Sequence, residues 1–178
     1  MMMPEIDALP APLQETPFRT LYELWRAACR AGKLPSRGDF DPTDLPPRLL
    51  AQILLFDCVQ AVQGWRFRFR VAGTAFTDLI GAEATGRFLD EIAPPERTQP
   101  VQTALETVTE KGRPVYLESR LTLVNRDFVR VRRLGLPLAR DGVNVDMVLA
   151  IFAAIPRDPD EFLKDGLAEP VDEQRFIL

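Results

Sequence analysis

The sharpest pattern in the chain is a strict alternation. Residues 65–71 read WRFRFRV, with Trp65, Phe67, Phe69 and Val71 separated by Arg66, Arg68 and Arg70. Successive side chains of a strand point to opposite faces, so the segment predicts a strand with one apolar and one basic face. Before it, across a turn at Gly64, the apolar run Ile53 to Val59 predicts another strand. Downstream, Val115 to Val124, Phe128 to Leu138 and Val143 to Ile155 also alternate. Asn125-Arg126-Asp127 and Asp141-Gly142 between them have the chemistry of tight turns. In the last strand Val143, Val145, Met147, Leu149 and Ile151 are expected to share a side. Arg132 and Arg133 are adjacent, so they must face opposite ways, and an irregularity is expected there.

Helical spacing marks other segments. Phe18, Leu21, Tyr22, Leu24, Trp25, Ala28 and Cys29 form one stripe, with Arg19, Glu23, Arg26 and Arg30 opposite. Thr16-Pro17 is a start signal and Gly32 a stop signal. Thr74 to Ile80 suits a short helix stopped by Gly81, followed by a loop over 82–95. Residues 99–111 predict a longer helix, with Pro100 in its first turn and Gly112 at its end.

Composition narrows the chemistry. The chain has 178 residues, room for one domain, with 46% hydrophobic and 27% charged residues and a net charge of −4. That balance argues against a nucleic-acid or anionic-membrane partner. No apolar run approaches the ~18 residues of a membrane span, and no secretory leader is recognisable, so a cytoplasmic location is expected. Histidine is absent, which removes His-based triads, His-ligated zinc and His-ligated haem together. Cys29 and Cys58 have no metal-ligand spacing and are expected to be reduced and mostly buried. Asp39, Asp41 and Asp44 cluster, yet the glycine and glutamate of a calcium loop are missing, so turn and cap roles fit better than metal. Gly81 to Phe88 has glycines at phosphate-loop spacing but lacks the lysine, and loop glycines account for it.

Several motifs resemble a known family. They are Leu21-Tyr22 with Trp25, Leu34-Pro35-Ser36-Arg37, Asp41-Pro42, Phe69-Arg70-Val71-Ala72-Gly73-Thr74, Thr85-Gly86-Arg87-Phe88-Leu89-Asp90 and Gly112-Arg113-Pro114. In this order they are similar to the PAS-like branch common in alphaproteobacteria, over about residues 20–155. The resemblance implies an α+β fold: a five-stranded antiparallel sheet with helices over one face and an N-terminal amphipathic helix. The expected organisation is a flexible segment over 1–17, the helix over 18–32, the PAS-like domain over 33–156 and an acidic tail over 157–178. The cysteinyl-flavin photosensors of this superfamily need an Asn-Cys-Arg-Phe motif that neither cysteine here has, so no cofactor is expected.

The role implied is a regulatory sensor or interaction module rather than an enzyme. It binds a small molecule or a protein partner, forms a homodimer, and signals in trans, since no kinase, cyclase or DNA-binding segment follows the last strand. Two rivals stand beside it: a scaffolding or dimerisation protein without ligand, and a small enzyme using Asp39, Asp41 and Asp90. The aromatic stripe of Phe18, Leu21, Tyr22 and Trp25 packs on the protein's own core or docks a partner. An interior pocket behind Trp65, Phe67 and Phe69, with the 99–111 helix and the Val143–Ile151 face, has Phe67, Phe69, Arg70, Thr74, Tyr116 and Arg130 as candidate ligand contacts. Arg66, Arg68, Arg70, Arg120, Arg130, Arg132 and Arg133 form either a solvated outer face, partly compensated by Glu118, or a surface for anions or an acidic partner.

Overall fold

The computed structural model describes residues 10–40, 44–122, 128–155 and 174–177. Five strands form the expected antiparallel sheet: β1 (Ile53–Ala61), β2 (Gly64–Ala72), β3 (Val115–Thr122), β4 (Phe128–Leu138) and β5 (Met147–Ile155). A sixth, β6 (Gln174–Ile177), comes from the segment expected to be only a tail, and pairs with β3. The order is β2-β1-β5-β4-β3-β6, antiparallel at every neighbour. The turn at 125–127 and the rest of the acidic tail lie outside the described residues.

Burial on two faces explains why β1 and β5 read as continuous apolar runs. Ile53 and Leu55 of β1, with Met147, Leu149 and Ile151 of β5, join one cluster. Leu54 and Phe56, with Val148, Ala150 and Phe152, join a second cluster on the other face. A strand covered on both sides needs apolar residues at odd and even positions alike. The edge strand β2 is covered on one face, so it alternates. Val145 packs in the second cluster and Val143 is exposed, so neither continues the side shared by Met147, Leu149 and Ile151. The reason is that 143–146 is a turn, in which the Asp141 carboxylate accepts bonds from the amides of Val143 and Asn144.

The first face is covered by α1 (Thr16–Ala28). It starts two residues before the expected domain division at 17/18 and ends before Gly32, with Cys29 at its C-terminal cap. Phe18, Leu21, Tyr22 and Trp25 are fully buried against β4 and β5, so the stripe belongs to this protein's own core and is not an open docking face. The Trp25 indole Nε1 donates to the Pro137 carbonyl at 2.8 Å, satisfying its one buried donor. The lead-in is also ordered where described: Ala11–Gln14 is a 3-10 turn whose Leu13 is fully buried.

The second face is covered by α3 (Thr74–Ile80), α4 (Leu89–Ile92) and α5 (Pro95–Lys111), while the short α2 (Pro47–Leu50) leads into β1. Part of the expected 82–95 loop is therefore helical. The longer helix begins four residues early, at Pro95, placing Pro100 inside it. Pro95 suits the first helical position because its missing N–H would have no partner there. Gly73 joins β2 to α3 with its amide on the Ile53 carbonyl, and a Cβ there would stand 2.3 Å from the Ala51 carbonyl oxygen. Only glycine permits that approach.

No irregularity interrupts β4 at Arg132-Arg133: it pairs with β3 and β5 in unbroken register. The register shift lies instead at Leu55/Phe56, between β1 and β2. No helix among the described residues is long and apolar enough to cross a membrane.

Candidate functional site

A cavity of about 370 Å³ lies between the sheet and the α3–α5 layer. Its origin is visible in the side chains. Gly135 of β4 and Ala150 of β5 are register partners on the sheet floor, and Ala104 of α5 lies in the same lining. Ala104 and Ala150 add little bulk to the lining, and Gly135 lets Val108 of α5 come close to the sheet. A Cβ on Gly135 would stand 3.3 Å from Val108 Cγ2 of α5. Leu54, Phe56, Phe69, Val101, Leu105 and Leu117 supply apolar walls. A run of rings supports one part of the wall, Phe56 to Phe69 to Phe76 to Phe152, with centroids 4.6, 5.5 and 5.5 Å apart.

Few polar side chains enter this lining. Thr98 is buried and its hydroxyl is engaged by the carbonyls of Pro94 and Pro95. Asp78 and Arg97 are exposed and mark the solvent side. Arg133 is different. It projects from β4 between Leu117 and Phe152, its partners on β3 and β5. Its Nη1 donates to Ser119 Oγ at 2.7 Å and, more weakly, to the Val131 carbonyl at 3.5 Å. No carboxylate among the described residues pairs with it. Burial holds its pKa down to about 10, so it is cationic at neutrality but poorly solvated. Arg133 is half-buried, and its side chain lines the cavity.

The opposite face carries two carboxylates, Glu118 and Asp57, each paired with arginines. Glu118, only 5% exposed, accepts from Arg130 Nη2, Arg132 Nε and the Tyr116 hydroxyl. Burial alone would raise its pKa, but these donors outweigh it and hold the carboxyl below its usual value. Burial and the neighbouring Glu118 push the Tyr116 hydroxyl up. Arg132 Nη1 also bridges to Glu15 at 2.6 Å, tying the segment before α1 to the sheet. On β1, Asp57 accepts from Arg68 at 2.8 Å and Arg70 at 3.2 Å. Arg66 turns to Asp90 and Glu91 and lies over the Phe88 ring. β1 with β2 and β4 with β3 lie on either side of β5, so the arginines make two separate ion-pair clusters rather than one basic surface.

Of the six expected ligand contacts, Phe69 lines the cavity and Phe67 packs in the cluster around it. The other four do not. Arg70 neighbours Phe69 in an alternating strand, so it takes the opposite face and pairs with Asp57. Tyr116 and Arg130 lie on the α1 side, at Glu118. Thr74 is an exposed first residue of α3. Of the Val143–Ile151 face, Met147, Leu149 and Ile151 likewise lie under α1 rather than at the cavity. Arg133 and Gly135 are among the lining residues that sequence reasoning did not assign to the pocket, whereas Ala104 belongs to the 99–111 helix that it did. One signal was present: of two adjacent strand arginines, one had to enter whichever face was not α1's. Asp39 closes a turn by accepting from the Ser36 amide and hydroxyl, Asp90 holds Arg66, and Asp41 lies outside the described residues. Cys29 and Cys58 are half-buried thiols whose pKa values burial pushes up to about 11.

A family model described as PAS domain matches residues 13–153. Among solved structures, the PAS domain of Bordetella pertussis BvgS is 13% identical, over 83% of this chain and 93% of that one, with a TM-score of 0.48. A Rhodobacter sphaeroides LOV protein is 11% identical, over 80% and 70%, with a TM-score of 0.47. The Vibrio cholerae VqmA dimer structure is 16% identical, over 59% and 46%, with a TM-score of 0.47, so this chain spans about half its length. No curated protein sequence matches.

Proposed function

This chain belongs to the PAS-domain family, and from that premise we propose that it is a sensory module whose cavity between the sheet and α3–α5 binds a small molecule. Domains of this family are generally sensory or regulatory. The observation that supports this reading is the cavity itself. Its volume of about 370 Å³ falls within the roughly 300–1,000 Å³ of sites for small ligands, and it has apolar walls with few polar groups. Occupancy is read out by a protein partner or a second copy of the chain, and no cofactor is required. A cysteinyl-flavin adduct does not fit, because the described lining contains neither a cysteine thiol nor a side-chain amide.

The test uses N-phenylnaphthylamine, a neutral apolar fluorophore. Its emission is expected to rise on binding the full chain. Ala104→Leu places bulk in the cavity and is expected to abolish that rise while the thermal midpoint stays close to the parent's. A parent protein that leaves the fluorophore unchanged sinks the cavity reading, as does a folded Ala104→Leu variant that binds as the parent does. Light scattering with and without the fluorophore reports whether occupancy changes self-association.

A further inference from the structure

Arg66, Arg68, Arg70, Arg130 and Arg132 each meet a carboxylate within 3.2 Å. Arg133, which lines the cavity from the sheet side, meets no carboxylate among the described residues. A buried charge without a counterion is costly, and the fold offers only neutral acceptors for it. Those acceptors, Ser119 Oγ and the Val131 carbonyl, both engage Nη1. Nε and Nη2 therefore donate to no group among the described residues. That edge of a guanidinium is a two-pronged donor matched to the two oxygens of a carboxylate.

The surroundings define the rest of the molecule. Next to Arg133 on the same strand face, Gly135 carries no side chain and Val108 and Val148 close over it, while Ala150, Leu54 and Phe56 line the cavity with Arg133. A head group paired with Arg133 would thus lead into apolar walls. At the solvent side Asp78 and Arg97 are of opposite sign, so the enclosed region calls for one negative charge and not two. We infer that the ligand class is an apolar monocarboxylate, its carboxylate paired with Arg133 and its hydrocarbon body lying between the sheet and α5. This deepens the cavity reading and rests on it.

Calorimetry on the full chain with decanoate and decanol separates the two. They share a hydrocarbon body and differ in the charged head. Decanoate is expected to bind at least about tenfold more tightly than decanol, a difference of ~1.4 kcal/mol. Arg133→Met removes the cation but keeps an unbranched apolar side chain. It is expected to cost decanoate about tenfold or more and to leave decanol within a few-fold of the parent. Arg133→Lys, which keeps the charge without the fork, should recover part of the decanoate affinity. Equal or tighter binding of decanol by the parent overturns the inference while the cavity reading stands. Unchanged decanoate binding by Arg133→Met overturns it too. If the parent binds neither amphiphile nor N-phenylnaphthylamine, the cavity reading and this inference fall together. The decanoate and decanol comparison needs only the parent protein, so it decides the matter even if the variants do not fold.

Discussion

The two faces of one sheet are built on different rules. Under α1 the space is filled by Phe18, Leu21, Tyr22 and Trp25, all fully buried, with Tyr116 meeting Phe18 edge-to-face at 6.1 Å. Its acids are matched, Glu118 with two arginines and a tyrosine, Asp57 with two arginines. Under α3–α5 a cavity remains, floored by glycine and alanine, and its Arg133 meets no carboxylate among the described residues. A face that only had to hold the fold together would gain by closing that space and neutralising that charge. The contrast fits the proposed division, with stability resting chiefly on one face and the proposed ligand site on the other.

The largest effect should come from emptying the filled face. Trp25→Ala removes a fully buried indole and its bond to the Pro137 carbonyl, and is expected to cost about 3–5 kcal/mol in urea denaturation. Binding of the neutral fluorophore under native conditions should persist. Loss of that binding in a folded Trp25→Ala protein would show that the faces are not separable.

Glu118 should be next. Glu118→Gln leaves Arg130 and Arg132 without their shared carboxylate and is expected to cost roughly 1–3 kcal/mol at neutral pH. The folded pKa lies below the ordinary value of about 4.5, so the carboxylate's contribution is complete above 4.5 and fades as pH falls through the lower folded value. The stability gap between parent and variant should therefore narrow in acid. A gap that widened in acid would contradict the assignment.

The sharpest comparison joins neighbours in sequence. Arg132→Met strips a donor from Glu118 and from Glu15 and should destabilise by about 1 kcal/mol or more. Arg133→Met removes an unpaired buried cation and should be neutral or stabilising by up to about 1 kcal/mol in the unliganded protein. Equal losses in both would erase the distinction between the faces. Gly135→Ala should have the smallest effect, below about 1.5 kcal/mol, since Val108 must give only slightly, with a few-fold loss of fluorophore affinity.

Much of the fold was legible because it follows from period. Helix α1 showed its stripe at 3.6 spacing, and β2 showed its two faces residue by residue. The cavity was legible only in part. Phe69 was found because an alternating aromatic face must be covered. Arg70 was misassigned although parity excludes it from the face of Phe69. For Tyr116 and Leu117 parity was uninformative, because both are apolar and β3 is covered on both sides. Asp57, the acid between Arg68 and Arg70, was hidden within an apolar run.

By itself, the sequence determined α1, the five main strands, the α+β class and the absence of histidine chemistry, since each depends on local spacing or on residue type alone. Tertiary structure decided which face each strand residue took, because that depends on which helix layer covers it. It also decided that Arg68 and Arg70 share Asp57, that Arg130 and Arg132 share Glu118, and that Arg133 meets no carboxylate among the described residues. A counterion is a matter of distance across strands, and no spacing along the chain encodes it.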